Sequence, residues 1–196
     1  MPSKQDHNGS MPRSDEALQK FVVGELKPHN AQITLVEYDS HWPEAFAQEA
    51  DRIRSILGGK IIRLEHVGST SVSGLCAKPI IDMLLVVKKS ADEPSYVPDL
   101  EKAGYILRIR EPDWFEHRMF KGPDTDINLH VFSEGASEVD RMLLFRNWLR
   151  ANKADREKYA QVKRSLAKER WRHVQHYADA KISVVQEIMK RANGID

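Results

Sequence analysis

One stretch gathers residue types suited to a phosphorylated ligand: Glu65-His66-Val67-Gly68-Ser69-Thr70, then Lys78-Pro79-Ile80-Ile81-Asp82, then the apolar run Met83 to Val87. Gly68 permits close backbone approach, and the Ser69 and Thr70 hydroxyls, with N–H groups at a helix start, can donate to phosphate oxygens. Alone, a Gly-Ser turn is usually only a turn. Asp82 strengthens the case. It stands twelve residues after Thr70, at the mouth of an otherwise apolar strand, where an ionised carboxylate is costly unless something binds it. Asp82 is therefore the candidate metal ligand; the plainer alternative is a cap or a salt bridge with Lys78.

His130 and His66 are flanked by apolar residues at strand positions near this run. His130 can ligate a metal, act as a general base or bond a ribose or phosphate, and the competing reading is a satisfied core histidine. Lys78, Arg118, Lys121, Lys163, Arg164 and Lys181 are candidate phosphate cations, with solvated side chains the default for each. Among them Lys78, tied to the main motif, and Arg118 are favoured. His173 and His176 are three apart with no third ligand in view and read as surface residues. The four tryptophans read as packing residues, and Cys76, with only Lys78 nearby, does not suggest a catalytic thiol.

These residues need a scaffold. Ile61 to Val67 and Ile80 to Val87 read as strands, the second apolar on both faces as a central strand should be. Tyr105 to Arg110, His117 to Lys121 and Ile127 to Phe132 supply three more, with Gly122-Pro123-Asp124 as a turn. Ile33 to Glu37 is β-prone. A helix with apolar positions Phe46, Ala50, Ile53, Ile56 and Leu57 ends at Gly58-Gly59, and another spans the region of Pro98 to Ala103. Gly59-Lys60 lacks the upstream Gly and the Ser/Thr of a P-loop, so it makes no kinase. After the sheet come three helices, marked by Met142, Phe145, Trp148 and Leu149, by Tyr159, Val162 and Leu166, and by Val174 through Met189. Residues 1–30 read as a disordered tail, 31–133 as the sheet core and 137–192 as a helical part of the same domain.

With 196 residues the chain can bury a sizeable core in one domain. Its net formal charge of +1 implies neither nucleic acid nor membrane. From Glu138 to Arg191 there are 14 Lys and Arg against 7 Asp and Glu, which suits either a polyanionic ligand or a solvated helix surface. Nucleic acid is the weaker choice of partner, because no aromatic cluster accompanies those cations. A single cysteine fits a reducing cytoplasm. No apolar run approaches the ~20 residues that span a bilayer.

HVGSTSVSGLCAKPIIDMLLVV, NLHVF at Asn128 to Phe132, FRNWLR at Phe145 to Arg150 and YAQVKRSLA at Tyr159 to Ala167 together resemble the GrpB family, from roughly Val36 to the C-terminus. The resemblance implies a nucleotidyltransferase-like α/β (α+β) fold, a mixed sheet flanked by helices. It implies Gly68 and Ser69 as the phosphate turn and Asp82 as the first, catalytic metal carboxylate, while Thr70, Lys78 and Arg118 join them as phosphate-binding candidates on their own chemistry. It further implies Mg2+ or Mn2+ as cofactor and a nucleoside triphosphate as partner, with an unspecified acceptor. His130 stands as the second candidate catalytic residue. The family occurs alone or fused to dephospho-CoA kinase, and no kinase half is expected here.

The match has a defect. Active nucleotidyltransferases resembling this pattern carry a second acid two residues on, where this chain has Leu84, and a third on a neighbouring strand, where it has Asn128-Leu129-His130. Two metal ions about 3.5–4 Å apart need bridging carboxylates. Three outcomes stand open: one Mg2+ held by Asp82, phosphates and water; an added acid from Glu65, Glu116, Asp124 or Asp126, with Glu65 as a further metal ligand; or binding without catalysis.

Overall fold

A computed structural model describes residues 13–195. Strands β1 (Arg63–Val67), β2 (Ile81–Val87), β3 (Ile106–Glu111), β4 (His117–Lys121) and β5 (Ile127–Ser133) form one sheet in the order β1-β2-β5-β4-β3. β2 and β5 are parallel and every other pair is antiparallel. The mixed α/β architecture matches the expectation. β2 is central because its residues are apolar on both faces, and the alternation of a strand sends them into two cores.

On one face Met83, Leu85, Val87, Leu129 and Val131 pack beneath helix α2 (Trp42–Leu57) and the short helix α3 (Val97–Lys102). α2 has Pro43 in its first turn, buries Trp42, Ala50, Ile53 and Leu57 at helical spacing, and ends at Gly58, whose φ is +52°. On the other face Val67, Leu84, Val86 and Phe132 meet Val139 of α4 (Ser137–Ala151). Helices α5 (Lys153–Ala167) and α7 (Ile182–Ala192) extend this layer through a separate cluster that takes in Val72, Leu75 and Cys76.

Three expectations change. The tail expected over residues 1–30 lies outside the described residues up to residue 12, but Arg13 to Val23 docks against the rest of the chain, whereas Gly24 to Gln32 is mostly exposed. Helix α1 (Asp15–Gln19) is capped by Ser14 and buries Leu18, and the Val23 N–H donates to the Arg108 carbonyl at 2.8 Å. Ile33 to Glu37 forms only an isolated bridge, Val36 to Ala77. The last expected helix is broken into α6 (Val174–Asp179) and α7. Its apolar residues serve two cores: Tyr177 packs with Ile33 and Ala167, whereas Val184 and Ile188 join the α5 cluster. One straight axis does not serve both.

His173 and His176 are buried, at 2% and 7% exposure, rather than on the surface. His173 Nε2 lies 2.9 Å from Asp15 and His176 Nε2 2.8 Å from the Arg13 carbonyl, so both hold the N-terminal arm against α6. Among the described residues no helix is long and apolar enough to cross a membrane.

Candidate functional site

β1 ends at Val67, which stands opposite Asp82 in the sheet register. Gly68 then turns the chain with φ +69° and ψ −171° into the 3-10 turn Ser69–Ser71, a conformation almost restricted to glycine. A Cβ on residue 68 would meet Asp82 Oδ2 and stand 2.8 Å from Asp82 Cβ. The missing side chain is thus what lets the turn lie against the carboxylate. From behind, α4 braces the turn. Arg150 donates to the Ser71 carbonyl at 2.8 and 3.0 Å, and Arg146 to the His66 carbonyl at 2.8 Å.

In front of the turn three ammonium groups converge. Lys163, 2% exposed, donates to Ser69 Oγ at 2.8 Å and to the Cys76 carbonyl. Lys181 and Lys78 lie 4.5 and 6.0 Å from the centre of the Tyr177 ring. None of the three is paired with a carboxylate among the described residues. Burial pushes Lys181 down to about 7, assisted by the charges of Lys163 and Lys78, and pushes Lys163 down to about 8. Lys78 is lowered too, by burial, with Asp82 opposing. The Tyr177 hydroxyl is buried without a hydrogen-bond partner, and burial raises it to about 12. Crowded cations beside an unpartnered donor are a chemistry suited to an anion with several oxygens.

Asp82 keeps 29% side-chain exposure. Its Oδ1 accepts from Asn128 Nδ2 at 2.7 Å and lies 3.8 Å from His130 Nε2. Burial raises this carboxyl, but His130, Asn128 and Lys78 together outweigh it and hold the pKa below its ordinary value. His130 leads onward. Its Nδ1 is 3.0 Å from His117 Nε2, and His117 Nδ1 is 2.8 Å from Glu111 Oε2. Burial drives His117 down to about 4 despite Glu111, so its ring is neutral near pH 7.

Gly68, Ser69, Lys78, Asp82 and His130 are therefore brought together, while other candidates are not. The Thr70 hydroxyl, 1% exposed, is committed to His66 Nε2 at 3.0 Å. His66 is a core histidine, stacked on Phe46 at 4.8 Å and lowered to about 4 by burial. Arg118 belongs to the opposite face, opposite Val131 in register, and pairs with Glu93 at 2.5 Å. Glu65 is bonded to Arg146 at 2.9 Å. Asp124 and Asp126 pair with Arg52 and Lys121, and Glu116 accepts from the Ser133 hydroxyl at 3.3 Å. Leu84 shares the Asp82 face but is fully buried beneath α4.

Sequence reasoning weighed Lys163 and Lys181 but did not favour them, and it missed Glu111 and His117. The usable signal for the pair was the β3–β4 hairpin, whose register sets Glu111 opposite His117.

The donor set decides what cation fits. Among the described residues no three His, Cys, Asp or Glu side chains are grouped to hold a metal, so a carboxylate-bridged ion pair does not fit. A single Mg2+ does fit, since Mg2+ commonly uses one or two carboxylates and takes its other oxygens from phosphates and water. Asp82 would hold it.

A mixed α/β sheet with a glycine turn against one strand carboxylate defines the class, and comparison with known proteins gives the family. Residues 32–191 match the family model described as GrpB protein, and the chain belongs to that family. It is 72% identical to UPF0157 protein BH1888 of Halalkalibacterium halodurans, covering 98% of this chain and 99% of that one. UPF0157 protein SCO7215 of Streptomyces coelicolor is 42% identical over 94% and 96% of the two chains. The crystal structure of conserved protein GrpB from Enterococcus faecalis superposes with a TM-score of 0.67 and 31% identity, covering 81% of this chain and 96% of that one.

Proposed function

We propose that the protein binds a nucleoside triphosphate with one Mg2+ and that the site is arranged for nucleotidyl transfer to an acceptor. The observation that carries the reading is the meeting of Ser69, Lys78, Lys163, Lys181 and the free Tyr177 hydroxyl beside Asp82. Several unpaired cations suit a polyphosphate, and the one carboxylate among them suits its counter-cation. Ser69 and the lysines would hold and neutralise the phosphate oxygens, while Asn128 orients the Asp82 carboxylate. Bound Mg2+ would supply Lewis-acid stabilisation of phosphoryl charge. Arg118, Thr70 and Glu65 have no part in this reading, because each is already committed to another partner.

Leu84 favours a second reading, a nucleotide-binding module without transfer, because it occupies the place of an acid with a packed apolar side chain. The test incubates the chain and its Asp82→Ala variant with each labelled nucleoside triphosphate, Mg2+ or Mn2+, and a cell extract. Labelled product or pyrophosphate that depends on Asp82 supports transfer. Thermal stabilisation by nucleotide without product leaves the binding module, and neither response rejects both readings.

A further inference from the structure

His173, His176 and Asp179 recur at every third position around α6, and all three meet the N-terminal arm. His173 Nε2 lies 2.9 Å from Asp15, His176 Nε2 donates to the Arg13 carbonyl at 2.8 Å, and Asp179 accepts from the Arg13 guanidinium at 2.8 and 3.0 Å. Arg172 adds an ion pair with Asp15. Among the described residues, every side-chain hydrogen bond that leaves the segment 172–181 runs to Arg13 or Asp15. Tyr177 and Lys181, four apart, belong to the anion site: the buried Tyr177 ring has Lys181 and Lys78 4.5 and 6.0 Å from its centre.

With only six residues, α6 is too short to keep its helix and its direction without partners. The arm supplies them, and its own far end is fixed to the sheet. Val23 N–H donates to the Arg108 carbonyl and Arg110 N–H to the Phe21 carbonyl, each at 2.8 Å, and Leu18 between these anchors is buried. We propose that Arg13 to Val23 is a strap that couples the edge strand β3 to the anion site: docked, it holds α6 so that Tyr177 and Lys181 close on a polyphosphate, and released, it lets that wall of the site move away. Arg13 and Asp15 are then positioning residues that never touch the ligand. The inference rests on the reading above only in taking a polyphosphate as ligand; neither the nucleoside nor transfer enters it. Coupling of this kind is reciprocal, so the anion tightens the strap by as much as the strap tightens the anion.

The experiment titrates the full chain with inorganic tripolyphosphate by calorimetry and follows amide hydrogen exchange with and without it. Arg13→Ala is expected to weaken tripolyphosphate about 5-fold or more, and the charge-swapped pair Arg13→Asp with Asp179→Arg to recover part of the loss. Asp15→Asn, which keeps the side-chain size, serves if Arg13→Ala fails to fold, and should weaken the anion in the same direction. Saturating tripolyphosphate should slow exchange at the Val23 and Arg110 amides. Tyr105→Phe is the control for general destabilisation, since it removes a buried hydrogen bond to Glu49 in the core beneath α2, and it should leave the affinity unchanged. Unchanged affinity in a folded arm variant, exchange at Val23 and Arg110 indifferent to the anion, or an equal loss in Tyr105→Phe overturns the proposal. Tripolyphosphate binding that follows the strap, with no response to any nucleoside triphosphate, would sink only the earlier reading, whereas no binding of tripolyphosphate by the unsubstituted chain overturns this one.

Discussion

The Asp82 carboxylate occupies the space where residue 68 would carry a side chain, with Asp82 Cβ 2.8 Å from an ideal Cβ there. Gly68→Ala therefore meets two penalties, contact with Asp82 and a backbone conformation costing about 1–3 kcal/mol for any other residue. Urea denaturation should reveal a loss of at least that size, and nucleotide-dependent stabilisation should fall with it. An alanine variant as stable as the parent would contradict the packing argument.

Lys181 gives the site a pH signature. Its folded pKa, about 7, lies below the ordinary 10.5, so between those values the unfolded chain holds a proton that the folded chain lacks. The resulting destabilisation is complete below about pH 7 and is relieved as pH rises towards 10.5. Anion affinity runs the other way, declining as pH rises through 7 for Lys181 and 8 for Lys163. Triphosphate titrations across this range should show the decline, and Lys181→Met should remove its lower step.

Leu84 cannot simply be converted into the missing acid. It is fully buried with Val67, Val86, Phe132 and Val139, so Leu84→Ala should cost about 2–5 kcal/mol. Leu84→Asp should cost more, because the apolar cluster around residue 84 would strip its carboxyl of water. Thermal unfolding of the two variants checks the order, and a stable Leu84→Asp protein with improved metal binding would refute it.

Asp155 fastens the helical layer. It accepts from Trp148 Nε1 at 2.7 Å and from Arg191 Nη2 at 2.6 Å, linking α4, α5 and α7. Asp155→Ala should cost about 1.5–3 kcal/mol. Arg191, aided by Trp148, outweighs burial and holds the carboxyl below its ordinary 3.8. Its contribution is therefore present above that value and lost as the folded carboxyl becomes protonated in acid. Stability curves of parent and variant should converge at low pH.

The unbroken apolar run Met83 to Val87 and the turn signals made the sheet legible, because an apolar residue at every position reports a strand buried on both sides. The Gly68 and Asp82 pairing was legible for the same reason: a glycine after one strand and an acid at the mouth of the next become neighbours once the strands pair. Arg118 was misplaced because its side depends on the register of β4 against β5, which a one-residue shift would reverse. His173 and His176 looked exposed because the N-terminal arm that buries them comes from about 160 residues away, beyond the reach of any local pattern.

That arm has a consequence for how copies of the molecule meet one another. β3 ends the sheet, and an end strand offers free N–H and C=O groups on which another chain could build. Phe21 and Val23 take up the Arg110 N–H and the Arg108 carbonyl, while Arg13 anchors the same segment to Asp179 at 2.8 Å. Docked in this way, the arm withholds part of that edge from intermolecular strand addition, and its release would expose a template for self-association.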